Sequence, residues 1–151
     1  MAVRFEALAA YLRDEAWTWE HQALVRARVV AGDQGLGRKF SALRTEILER
    51  PRTSTELQTK VREMRLKMRD ALSTRGGGGF DLKHDTGGIA DIEFMVQYCV
   101  LRWARELGPW ARYTDNIRLL EGLAESGLLA RQDARDLTEI LQVLRSAVHT
   151  H

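Results

Sequence analysis

The chain is poor in residues that interrupt helices and in residues that do covalent chemistry. Its 151 residues include only two prolines, Pro51 and Pro109, which leaves long stretches free to run as helix. A single cysteine, Cys99, excludes an internal disulfide framework, and its place in an apolar run points to a buried, inert thiol. Four histidines (His21, His84, His149 and His151) are scattered, and no Cys/His group has zinc spacing, so no metal site is expected. No uncharged run reaches the ~18 residues a membrane helix needs. The N-terminus carries Arg4, Glu6 and Arg13 where a signal peptide would be apolar. Neither a membrane nor an export route is therefore expected, and a cytoplasmic location is. An excess of one charge is missing too: 23 Lys and Arg against 21 Asp and Glu leave a net charge of +2, too little to imply nucleic acid as a partner.

What the chain has is apolar periodicity. With 44% hydrophobic and 29% charged residues it has the composition of one globular domain, 1–151, rather than of a disordered chain. A first helical region is expected over 3–31, with Phe5, Leu8, Leu12, Trp17, Leu24 and Val25 apolar and a break near Asp14. After a turn at 32–35, a second helix over 36–49 puts Leu36, Phe40, Leu43 and Ile47 on one face and ends before Pro51. Thr53-Ser54-Thr55-Glu56 is a capping-box sequence opening a third helix. Its stripe of Leu57, Val61, Met64, Met68 and Leu72 stops at Ser73-Thr74. Phe80-Asp81-Leu82-Lys83 alternates apolar and charged residues and reads as a short extended segment. A fourth helix, 89–106, is apolar on most sides and so belongs at the centre. Thr114-Asp115-Asn116 caps a fifth helix that stops at Gly127, and a last helix runs from about Arg131 to the end without a C-cap. The expectation is all-α: a bundle of about six helices, with a glycine-rich loop at 76–79 and at most a short extended segment near 80–83.

Three stretches carry candidate function. In the segment from Lys83 to Tyr98 a glycine pair, Gly87-Gly88, precedes a helix with Asp91 and Glu93 in its first turns. A helix N-terminus favours anions, and glycine permits close backbone approach or positive φ. Two residues apart, Asp91 and Glu93 lie roughly 200° apart around the helix, so they cannot share one metal from one face. Either both complement the dipole, or one faces a neighbouring site while the other pairs with an arginine. In the stretch from Ala16 to Asp33, Glu20, Ala23, Ala27 and Val30/Ala31 fall at helix-neighbour spacing. Trp17 and Trp19 fall on different faces, so one can pack in the bundle while the other covers a neighbouring domain. Arg26 and Arg28 also diverge, and at least one must emerge beside an anion, either a carboxylate such as Glu20 or a nucleotide phosphate. The third stretch is the basic helix, where Arg62, Arg65 and Arg69 align as a stripe. A stripe of this kind is more commonly a solvated face than a phosphate-facing or docking surface, and no aromatic residue interleaves to stack on bases. The glycines at 76–79 lack the phosphate-loop pattern and read as a linker, and His149-Thr150-His151 reads as a frayed end.

Four strings in order resemble the adenylylating half of the bacterial glutamine-synthetase adenylyltransferase/adenylyl-removing enzyme family. They are Ala16 to Asp33, Val61 to Met68, Lys83 to Tyr98 (matching K-x-x-x-G-G-I-x-D-I-E-F), and Thr114 to Glu121. The resemblance implies a parent that transfers AMP from ATP, with Mg²⁺, to a tyrosine of glutamine synthetase, under control of PII protein and glutamine. The family's catalytic carboxylates sit in a preceding polymerase-β-type module with a G-S-x-D-x-D string. That string is not in this sequence, so no catalytic or metal-binding residue carries over. The chain is expected to be a helical fragment of a larger multidomain enzyme, truncated at both ends, inactive alone, and walling that module. On this reading Lys83, Arg26 and Arg28 face phosphates, while Asp91, Glu93, Glu20, Gly87 and Gly88 support or orient them. The competing expectation is a docking module that binds glutamine synthetase or PII through Arg62, Arg65 and Arg69 with no nucleotide contact.

Overall fold

The structure, a computed structural model, describes residues 4–72 and 78–150. Among them are seven α-helices and one 3₁₀ turn, with no strand: α1 Phe5–Asp14, α2 Thr18–Val25, α3 Gln34–Leu48, α4 Ser54–Leu72, α5 Ile89–Leu107, the 3₁₀ turn Gly108–Arg112, α6 Asn116–Glu125 and α7 Arg131–His149. The expected stop at Ser73-Thr74, Gly76-Gly77 and His151 lie outside the described residues. As its all-round apolar pattern predicts, α5 is central. It packs against α2, α3, α4, α6 and α7, and Val96 and Val100 are completely buried. It bends at Trp103, whose backbone leaves helical geometry (φ −130°, ψ 28°) and whose ring meets Tyr98 edge-on at 6.4 Å.

The expected first helical region is two helices. Trp17 is extended, and its N–H donates to the Glu20 carboxylate at 2.7 Å, which starts α2 afresh. Glu20 also accepts from the Tyr11 hydroxyl, fastening α2 to α1. At its far end α2 stops at Val25, so residues 26–33 are not helical and the expected face through Ala27, Val30 and Ala31 does not form. The cause is Arg44, buried in α3. Its Nε donates to the Leu24 carbonyl at 2.8 Å and its Nη2 to the Val25 carbonyl at 2.9 Å. Those carbonyls would otherwise accept the next helical N–H groups. The two tryptophans depart from expectation as well: Trp17 is 70% and Trp19 48% exposed, so neither packs in the core.

Helix ends are closed by short-range devices elsewhere. The Asp33 carboxylate accepts from the Leu36 N–H at 2.9 Å and starts α3 at Gln34. The Asp115 carboxylate accepts from the Ile117 N–H at 3.1 Å to start α6. At the other end of α6, Gly127 has a φ of +72°, and the Leu128 and Gly127 N–H groups donate to the carbonyls of Leu123 and Ala124. This is a Schellman closure. At α3's end, Arg52 donates to the carbonyls of Ile47 and Leu48 and to His21 Nδ1, and burial lowers its pKa to about 10.

The buried His21 ring is consequently held neutral. With Arg52 donating to Nδ1, the ring proton sits on Nε2 and is donated to the Leu12 carbonyl at 2.9 Å. Burial, then the charges of Arg52 and Arg50, hold its pKa below the ordinary value. The unfolded chain therefore takes up this proton first. Stability present above about pH 6.5 is lost as pH falls toward the folded pKa, at up to about 1.4 kcal/mol per pH unit. Urea midpoints between about pH 7.5 and pH 5.5 should fall, and His21→Gln should flatten the dependence. An unchanged slope in that variant would assign the effect to other groups.

Candidate functional site: the loop entering the central helix

The chain enters α5 through a turn at 81–88 that folds back on the helix. The Ile89 and Ala90 N–H groups donate to the carbonyls of Leu82 and Lys83, both at 2.9 Å, and the Asp91 N–H donates to the Gly88 carbonyl at 3.1 Å. The N–H groups that make a helix start attractive to anions are thus largely satisfied by the loop itself. Gly87 has a φ of +86°, and Gly88 makes the close approach: a Cβ there would lie 2.6 Å from the Leu82 carbonyl oxygen and 2.9 Å from that of Asp85. Both uses of glycine raised by the sequence are realised at adjacent positions.

The short extended segment expected near 80–83 is absent, because Asp81 builds a turn. Its Oδ1 accepts from the N–H groups of Lys83 (2.9 Å) and His84 (3.1 Å), and its Oδ2 meets His84 Nδ1 at 3.0 Å. Those bonds, the Lys83 N–H first, hold the Asp81 carboxyl below its usual pKa. Asp85 Oδ2 accepts from the Asp81 N–H at 2.8 Å. Asp81 and Asp85 were not among the residues singled out from the sequence, although an Asp-x-x-x-Asp frame around a turn is a local signal that could have found them.

Asp91 and Glu93 point to different neighbours, and both pair with arginines of the bundle. Asp91 Oδ1 accepts from Arg65 Nε at 2.6 Å while its Oδ2 accepts from the Gly87 N–H at 2.7 Å. Glu93 pairs with Arg26, whose side chain remains half exposed. Glu20, the carboxylate considered for Arg26, is engaged with Tyr11 and Trp17 instead. Lys83 and Arg28 are exposed and have no ion-pair partner among the described residues.

The basic stripe of α4 is divided. Arg65 is only 8% exposed and also donates Nη2 to the His84 carbonyl at 2.8 Å, so it is not part of an outward surface. Arg69 reaches the Thr86 hydroxyl at 2.7 Å, and only Arg62 stands outward without a partner among the described residues. With Asp91 and Glu93 both committed to arginines, the residues here do not fit a pair of magnesium ions. Among the described residues no three His, Cys, Asp or Glu side chains converge as metal ligands.

A second surface follows the C-terminal end of α2. Val29 (47% exposed), Val30 (84%) and Leu36 (51%) border an apolar groove of about 400 Å³ floored by Phe5, Leu8 and Phe40 and edged by Arg28. No helix among the described residues is long and apolar enough to cross a membrane.

Comparison with known proteins separates these two regions. Residues 1–43 match the family model for glutamate–ammonia ligase adenylyltransferase, and residues 55–150 match that for GlnD PII-uridylyltransferase. A bifunctional glutamine synthetase adenylyltransferase/adenylyl-removing enzyme of Pseudomonas aeruginosa is 52% identical over 155 aligned positions, which cover 95% of this chain and 16% of that protein. The groove falls within the first match and the 81–88 loop within the second.

Proposed function

The chain belongs to the family of the glutamate–ammonia ligase adenylyltransferases and PII-uridylyltransferases, and from that premise we propose that it is the helical domain packing against and walling a nucleotidyl-transfer module that moves AMP from ATP to a tyrosine of glutamine synthetase. The observation that carries this reading is the apolar groove around Val30. Three large aliphatic side chains stand in water on a segment that matches the adenylyltransferase model. Arg28 at its edge and Lys83 in the loop are exposed cations with no ion-pair partner among the described residues, suited to face phosphates. Arg26 keeps half its side chain in solvent while Glu93 orients it. The carboxylates that hold magnesium belong to the adjoining module, and this chain's part is to exclude water and place positive charge. Glutamine synthetase and PII protein are the partners this role entails.

The test is AMP transfer from ATP to glutamine synthetase, measured with this chain, with the catalytic module, and with both. The chain alone should be silent and the mixture active. Val30→Asp, a surface change, should lower the restored rate by on the order of tenfold with the fold intact. A catalytic module equally active without this chain would sink the proposal. That result would favour docking through Arg62, Arg65 and Arg69, a reading weakened by the inward turn of Arg65 and the Arg69–Thr86 bond.

A further inference from the structure

We infer that Arg65 is a positioning residue for Lys83, clamping the 81–88 loop to α4 so that the lysine ammonium is presented at a fixed place; the inference rests on the phosphate-facing reading of Lys83 above. The guanidinium reaches from the middle of α4 to two points of the loop and helix start. Nε binds Asp91, which itself holds the Gly87 N–H, and Nη2 binds the carbonyl of His84, the residue next to Lys83. Its Cζ lies 5.8 Å from the Phe94 ring centre, a cation–π distance that helps fix its orientation.

The backbone of Lys83 has no freedom left. Its N–H is held by Asp81 and its carbonyl by the Ala90 N–H. Its side chain, by contrast, is exposed and unpaired among the described residues. A rigid backbone beneath a free cation is the arrangement of a group offered to a partner. Arg69 repeats the tie one turn along α4 through Thr86. Arg65 Nη1 is buried with no hydrogen-bond partner among the described residues. Two acceptors in different directions demand a planar fork, which lysine lacks.

The experiment uses the full-length adenylyltransferase carrying this domain and follows the KM for ATP and kcat of Lys83→Ala, Arg65→Gln and the double variant. Each single change should raise KM about tenfold with kcat within about twofold, and the double should be no worse than either. Arg65→Lys should fail to restore KM. Amide exchange over 83–90 should quicken in Arg65→Gln and not in Lys83→Ala. If Lys83→Ala leaves KM unchanged, the reading of Lys83 falls and the inference with it. If Lys83→Ala raises KM while Arg65→Gln does not, or if the two effects multiply, the inference alone is overturned. Should Arg65→Gln not fold, Asp91→Asn decides, since it keeps an acceptor for Gly87 and loses the carboxylate charge that pairs with Arg65: a raised KM supports the clamp and an unchanged KM overturns it.

Discussion

Replacing Arg44 by methionine is expected to cost about 3–5 kcal/mol, a large share of a domain's whole stability. Arg44 is 6% exposed and its acceptors are all main-chain carbonyls: Leu24 and Val25 at the end of α2, Ala111 (2.7 Å) and Tyr113 (3.3 Å) at the 3₁₀ turn. Methionine fills the space of the stem but removes the guanidinium from all four carbonyls, two of them at the negative end of a helix; Leu24 keeps the Ala27 N–H. Burial lowers the pKa of Arg44, yet an arginine remains charged, so the cation is stabilised by carbonyl dipoles. Thermal unfolding should show a fall on the order of 10 °C. Arg44→Lys should lie between, because one ammonium cannot reach all four acceptors. A methionine variant melting within a few degrees of the parent would mean that water replaces the guanidinium cheaply.

Gly88→Ala should be nearly as damaging, at about 2–4 kcal/mol, and the damage should be local. The added Cβ would sit 2.6 Å from the Leu82 carbonyl oxygen, a main-chain atom that cannot rotate away. Relief requires the 82–85 turn to lift, which breaks the bonds from Ile89 and Ala90 and uncaps α5. Amide exchange should therefore accelerate at Ile89 and Ala90 first, ahead of the interior of α5. Gly87→Ala meets nothing within 4 Å and should cost less, about 1 kcal/mol for its positive φ. Equal losses at both positions would count against the close-approach argument.

The helical class, the central place of α5, and the buried parts of the α3 stripe (Leu43, Ile47) and the α4 stripe (Leu57, Val61) were legible because each rests on spacing within one element, whereas Leu36 and Leu72, at the outer ends of those stripes, stand exposed. Other features were not, and the first two depend on a partner distant in sequence. The end of α2 is set by Arg44, some 20 residues away, so the pattern through Val30 looked helical. The burial of Arg65 is set by Asp91, 26 residues on, whereas within its own helix it sits in a row of cations that resembles a solvated face. The exposure of both Trp17 and Trp19 follows from the new start of α2, which moves them off a continuous helix face. In the loop itself, the alternation of Phe80 to Lys83 suggested an extended segment, but the Asp81 carboxylate competes for the backbone N–H groups and turns the chain.

The place of α5 also governs the order in which the chain can gain structure during synthesis. Helices α2, α3 and α4 pack on α5, α1 packs on α3, and α5 is complete only at Leu107, beyond two-thirds of the chain. While the ribosome still holds that segment, Leu57 and Val61 of α4 and Leu24 and Val25 of α2 lack much of their eventual cover. The nascent N-terminal half is then a sticky, unfinished surface, the state in which chaperones bind and aggregation begins. Once Leu107 has cleared the exit tunnel, the preceding helices can close around a single rod, and α6 and α7 add to it from the other side.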